Sequence, residues 1–184
     1  MRTTYILRHL LSILVLPFTV TVVVPRWLIA RADGVLLGWD LPQPWLTVIV
    51  AAGVVIATAG LGLVASTIRL FFTRGGGTLA PWDPPRHLVA EGVYRHVRNP
   101  MISGVIAILA GEALAFGTES VARWAVIFAA VNFAYIPLVE EPMLRERFGE
   151  SYDVYRRHVP RWIPRFRAWD PEEADASRFA GDGG

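Results

Sequence analysis

The chain has 184 residues, 53% of them hydrophobic and 18% charged, with a mean hydropathy of +0.40 and a formal charge of +2. That composition excludes a disordered chain, and the absence of cysteine excludes disulfide scaffolds, thiolate metal sites and a cysteine nucleophile. All eighteen basic residues are arginine, which removes Schiff-base chemistry and a lysine-type phosphate loop; His9, His87, His96 and His158 show no paired ligand spacing, so no metal site is expected.

The apolar residues fall into runs suited to a bilayer core of about 30 Å, which a helix crosses in roughly 20 residues. Four runs are long enough, near 6–30, 45–70, 101–117 and 121–139, the last two as a hairpin turning at Gly117 to Ser120. The expected fold is therefore all-α: a polytopic membrane protein of about four spans forming a single domain over 1–165. A competing reading makes the first run a cleaved signal peptide, because Arg2 and Arg8 precede it and Ala30-Arg31-Ala32 resembles a cleavage site. Its length, the Pro25-Arg26-Trp27 sequence and the three runs that follow argue against that reading.

With four spans, only Arg26, Arg31 and Arg123 lie on the side opposite the other fifteen arginines. Positive residues stay in the cytoplasm, so both termini and the central loop are expected there. The arginine-only, alanine- and valine-rich composition points to a GC-rich bacterial source and hence the plasma membrane. The basic excess reads as topology and headgroup contact, and no nucleic-acid motif accompanies it.

Polar residues gather in the loop from Arg74 to Asn99 and in the segment from Glu140 to Arg167. The glycines at 75–77 make a weak nucleotide signature and read more readily as a flexible turn, but about twenty-five residues is more than a connection needs. The loop ends in Tyr94-Arg95-His96-Val97-Arg98-Asn99-Pro100, where Asn99 and Pro100 suit the N-cap and first position of a helix. The same helix start, flanked by Arg95 and Arg98, suits a carboxylate or phosphate.

At the end of the fourth run, Glu140 and Glu141 oppose the helix dipole and crowd one another, a cost that a bound cation, or pairing with Arg95 or Arg98, would offset. An amphipathic surface helix is expected over 142–159, with Leu144, Phe148, Tyr152, Tyr155 and Val159 on its apolar stripe and Gly149 as the point where it would break. Pro160 to Pro164 reads as an interfacial anchor, and 166–184 as a disordered tail. Glu112, inside the third run, is a functional candidate as an intramembrane carboxylate, unless the short helix brings it near the outer surface.

Taken in order, these stretches resemble the isoprenylcysteine carboxyl methyltransferase and phospholipid N-methyltransferase superfamily. The resemblance covers roughly residues 75–164. It is carried by Gly92, Tyr94, Arg98, Asn99, Pro100, Met101 and Gly104, then Glu140-Glu141-Pro142, then Phe148-Gly149-Glu150, Tyr152 and Tyr155, and finally Val159-Pro160-Arg161 with Pro164. It implies an integral membrane enzyme that binds S-adenosylmethionine at its cytosolic face and methylates a lipid-like or prenylated acceptor. The implied cofactor-binding residues are Tyr94, His96, Arg98, Asn99, Gly104, Glu140, Glu141, Tyr152 and Tyr155, with Glu140, Glu141 and Arg98 the implied catalytic set. Two departures bear on the acceptor: Arg98-Asn99-Pro100 stands where the prenylcysteine enzymes usually have Arg-His-Pro, and Ile102 replaces a common tyrosine. Acceptor identity and oligomeric state stay open. An NADPH-dependent membrane reductase of related fold and a non-enzymatic membrane adaptor are the alternatives.

Overall fold

The computed structural model describes residues 14–31, 39–74, 88 and 90–170; the start of the first run (6–13), most of the glycine-rich loop and 171–184 lie outside them. The described residues are helical, with no strand. A wide π-helical stretch, Leu14–Val23, continues into α1 (Val24–Arg31). Next comes α2 (Trp45–Arg74), whose 30 residues give about 45 Å at the usual rise, more than a bilayer core requires.

Helix α3 (Pro100–Phe116) starts with proline, whose missing N–H costs nothing at a first position, and ends at Gly117 in the left-handed conformation at φ 62°, donating its N–H to Ala113. One residue further, α4 (Glu119–Tyr135) begins, so the expected hairpin turn falls where its glycine allows. Its end widens into a π turn, Ile136–Glu140, where Pro137 has no N–H for a regular ladder. The chain then runs straight into α5 (Glu141–Phe148). Gly149, at φ 56°, breaks the expected surface helix, and α6 (Glu150–His158) follows.

Helices α2 and α3 pack antiparallel at very close range. A Cβ placed on Gly60 would lie 2.6 Å from the Gly104 carbonyl, and one on Gly111 would lie 2.4 Å from that of Gly53. Small residues seven apart on both helices bring the backbones together, as membrane helices do when lipid supplies no hydrophobic drive for association. Val64, Val105 and Leu109 fill the seam, against Met101, Trp124 and Phe128. The Trp124 indole donates to Val20 at 3.0 Å and ties the first segment to α4.

Among the described residues, two apolar helical stretches are long enough to cross a membrane, Trp45–Leu70 and Glu119–Phe148, and only 17% and 11% of their most apolar windows are buried within the protein. Core helices of soluble proteins bury such surface, whereas these show Val55, Val126, Val131 and Leu138 outward. The polar end of the molecule is where α3 begins, α4 ends, and α5 and α6 fold across. There Tyr152, Tyr155, Val159 and Trp169 form a second core.

Trp169, expected within the tail, is instead part of this core. The Trp169 N–H donates to the Arg95 carbonyl at 2.9 Å, and its ring lies 5.7 Å from that of Tyr155 and stacks on His158 at 5.6 Å. The reading as tail overlooked one large apolar side chain in a charged stretch, enough to dock a segment that lacks periodicity.

Candidate active site

The site lies where the two helix ends meet. Arg98, two residues before α3, places Nη1 2.8 Å from Glu141 Oε1 at the start of α5. From the far side Arg161 grips the same carboxylate with both arms of its fork, Nε at 2.6 Å from Oε1 and Nη2 at 2.8 Å from Oε2. Glu141 is 7% exposed. Burying a carboxylate so deeply is tolerated because three charge-assisted hydrogen bonds replace its water. Two guanidinium groups around one carboxylate leave one net positive charge. Arg161's own proton is held more tightly than usual, chiefly through its hydrogen bond to Glu141.

The neighbouring glutamates thus differ. Glu141 is engaged, while Glu140 makes no hydrogen bond or ion pair among the described residues. Glu140 sits near Tyr94, whose phenol is pushed above its ordinary value by burial and, after that, by the Glu140 charge. Arg98 contributes the opposite kind of gap: its Nε is buried without a hydrogen-bond partner among the described residues. Near one ion-pair cluster there is thus an unsatisfied donor and a carboxylate without a partner, both among the described residues.

The remaining expected residues divide into those at the site and those holding it. Tyr152 lies against Arg98, and its phenol is raised by burial and the Glu141 charge, with Arg98 opposing. Tyr155 is committed to the backbone, its hydroxyl donating to the Tyr94 carbonyl at 2.7 Å; burial, then Tyr94, raises its phenol. Asn99 occupies the N-cap position of α3 without capping through its side chain, which donates instead to the Arg161 carbonyl at 3.2 Å. His96 Nδ1 lies 2.8 Å from the Arg165 carbonyl. Gly104 lies in the α2–α3 crossing. Arg95 turns away to Asp170, at 2.9 Å.

In the sequence Arg161 stood out only as part of the Val159-Pro160-Arg161 stretch. The structure makes it the centre of a strap, residues 160–170, that runs back along the start of α3. Arg98 N–H donates to the Pro160 carbonyl at 2.9 Å, Arg165 N–H to that of His96 at 3.0 Å, and Ser103 Oγ to that of Trp162 at 2.8 Å. The one available signal was Pro160 and Pro164 bracketing an arginine directly after α6.

These features define a helical membrane protein with a polar, arginine-clamped site at one end of its bundle. The model of the phospholipid methyltransferase family matches residues 46–151, and the chain belongs to that family of methyltransferases. It is 34% identical over 83 residues to a phosphatidylethanolamine N-methyltransferase of Laccaria bicolor, an overlap of 41% of this chain and 9% of that protein. The match thus spans under a tenth of the relative's length.

Proposed function

We propose that the protein is an S-adenosylmethionine-dependent methyltransferase that acts on the headgroup of a phospholipid-like acceptor at the cytosolic face of a four-span membrane domain. The observation that carries this reading is the pairing of Arg98 with Glu141 at 2.8 Å, which sets the start of α3 against the end of α4 with Glu140 unpaired beside them. Arginine distribution supports the cytosolic side, since only Arg26, Arg31 and Arg123 fall at the other end. Family membership supports methyl transfer, and the name of the Laccaria relative favours an amine acceptor over a prenylated one.

The cofactor would supply a methyl group already activated on a sulfonium, so alignment, exclusion of water and charge matching are what the chain contributes. Arg98 Nε and the positive end of α3 would hold the methionyl carboxylate. Glu140 would hold the ammonium group, and Tyr94 and Tyr152 would close over the ligand, their faces suited to a cation. Glu141 and Arg161 act behind these residues by fixing Arg98.

The test is incubation of the protein in lipid vesicles with methyl-labelled S-adenosylmethionine and bacterial lipid extract. Label is expected in an aminophospholipid fraction. Binding of NADPH with no labelled lipid would overturn the reading.

A further inference from the structure

The strap reaches inward along the bundle. The Trp162 carbonyl is fixed by Ser103, one turn into α3, and the Trp162 ring packs on Phe133 of α4 with centroids 4.6 Å apart. Phe133 precedes Glu140 by seven residues, which puts it roughly 10 Å further along the apolar helix than the carboxylates. Next to Trp162 in the chain, Ile163 is 80% exposed, and Phe166, which follows the Arg165 bonded to the His96 carbonyl, is fully exposed. Phe133 on α4 and Leu138 in the π turn after it are also exposed, so the apolar surface of the strap lies beside that of a membrane helix. Arg156, Arg157 and Arg167 are exposed around it.

We infer that residues 160–166 form a wedge that enters the phospholipid leaflet bordering the site, with Ile163 and Phe166 among the acyl chains and the flanking arginines at the headgroups. Two large exposed apolar side chains are unfavourable in water and favourable in a leaflet, where arginine stems extend the apolar contact while their heads stay wet. Trp162 is the interfacial aromatic that sets the depth. Arg161 lies inside the wedge and holds Glu141, so the grip on the leaflet and the geometry of the ion-pair cluster share one stretch of chain. The inference requires only that the protein sit in a membrane, not that it transfer methyl groups.

Because the chain has no cysteine, single labels can be placed without background. Ile163→Cys and Phe166→Cys carry a bimane fluorophore into phosphatidylcholine vesicles, with Leu138→Cys in the π turn that ends α4 and Arg157→Cys on α6 as references. Labels at 163 and 166 are expected to be quenched by brominated acyl chains as strongly as at 138, and shielded from aqueous iodide that quenches 157. Iodide quenching at 163 and 166 equal to that at 157, with 138 still quenched by lipid, overturns the wedge. Iodide access at 138 as well overturns the membrane placement of α4 and the wedge with it.

Discussion

The two adjacent glutamates give the sharpest consequence of the geometry. Replacing Glu141 with glutamine removes the charge that Arg98 and Arg161 share and leaves two guanidinium groups facing each other. Arg98 is only 10% exposed and cannot recover full hydration, whereas Arg161, 34% exposed, can be partly screened. Breaking a buried pair by removing one partner costs about 3–5 kcal/mol, and screening at Arg161 puts Glu141→Gln near the lower end, roughly 3 kcal/mol. On the scaling of soluble domains of this size that lowers Tm by roughly 6–12 °C. Glu140→Gln removes a carboxylate that makes no hydrogen bond or ion pair among the described residues, so its Tm should stay within about 2 °C of wild type. The ligand effect runs the other way: losing one charge-assisted hydrogen bond to a bound ammonium is worth about 1.5–3 kcal/mol, or roughly a 10- to 100-fold weakening of S-adenosylhomocysteine binding. Melting in detergent with and without ligand reads both quantities. A Glu140→Gln protein that melts far below wild type, paired with a thermally silent Glu141→Gln, would refute the division of labour.

Other consequences concern the frame around the site. At Gly60 an added side chain meets the Gly104 carbonyl and the Ile108 backbone nitrogen, so Gly60→Val should abolish the compact form on gel filtration. Gly62 has open space at that position, and Gly62→Ala should raise stability by about 0.5–1 kcal/mol through helix propensity. Trp169→Ala opens the second core and should cost about 3 kcal/mol, visible as a lower melting temperature and faster proteolysis of the strap. Tyr94 and Tyr155 keep their protons in the folded state at pH values where an unfolded phenol, near 10.0, loses them. Their contribution is therefore complete below about pH 10 and declines as the pH rises beyond it. Melting curves from pH 8 to 11 should fall more steeply for wild type than for Tyr155→Phe, and parallel curves would contradict the burial of these phenols.

How much of this was legible in the sequence depended on whether the signal was local. The ends of α3 were readable because Pro100 and Gly117 act through their own backbone, and the break at Gly149 for the same reason. The meeting of Arg98 with the acidic pair was anticipated because glutamates at a helix exit need a cation. Which glutamate would be engaged was not, since residues 140 and 141 differ only in the direction their side chains leave a π turn, and that turn follows from Pro137 and tertiary packing. The strap was missed for a related reason: its bonds to residues 95–103 join segments about sixty to seventy-five residues apart and leave no periodic pattern. Asn99 shows the same limit. Its position matched a helix cap, but its side chain serves the strap, because Arg161 must be held where it can reach Glu141.

The central claim is that the start of α3 and the end of α4 form two walls of one site for a sulfonium nucleotide. Calorimetric titration of the purified protein with S-adenosylhomocysteine, beside a parallel titration with NADPH, tests it most directly. The account predicts saturable binding of the first at a single site, lost in Arg98→Met, and no heat from the second. Saturable NADPH binding, or S-adenosylhomocysteine binding that survives Arg98→Met unchanged, would contradict it.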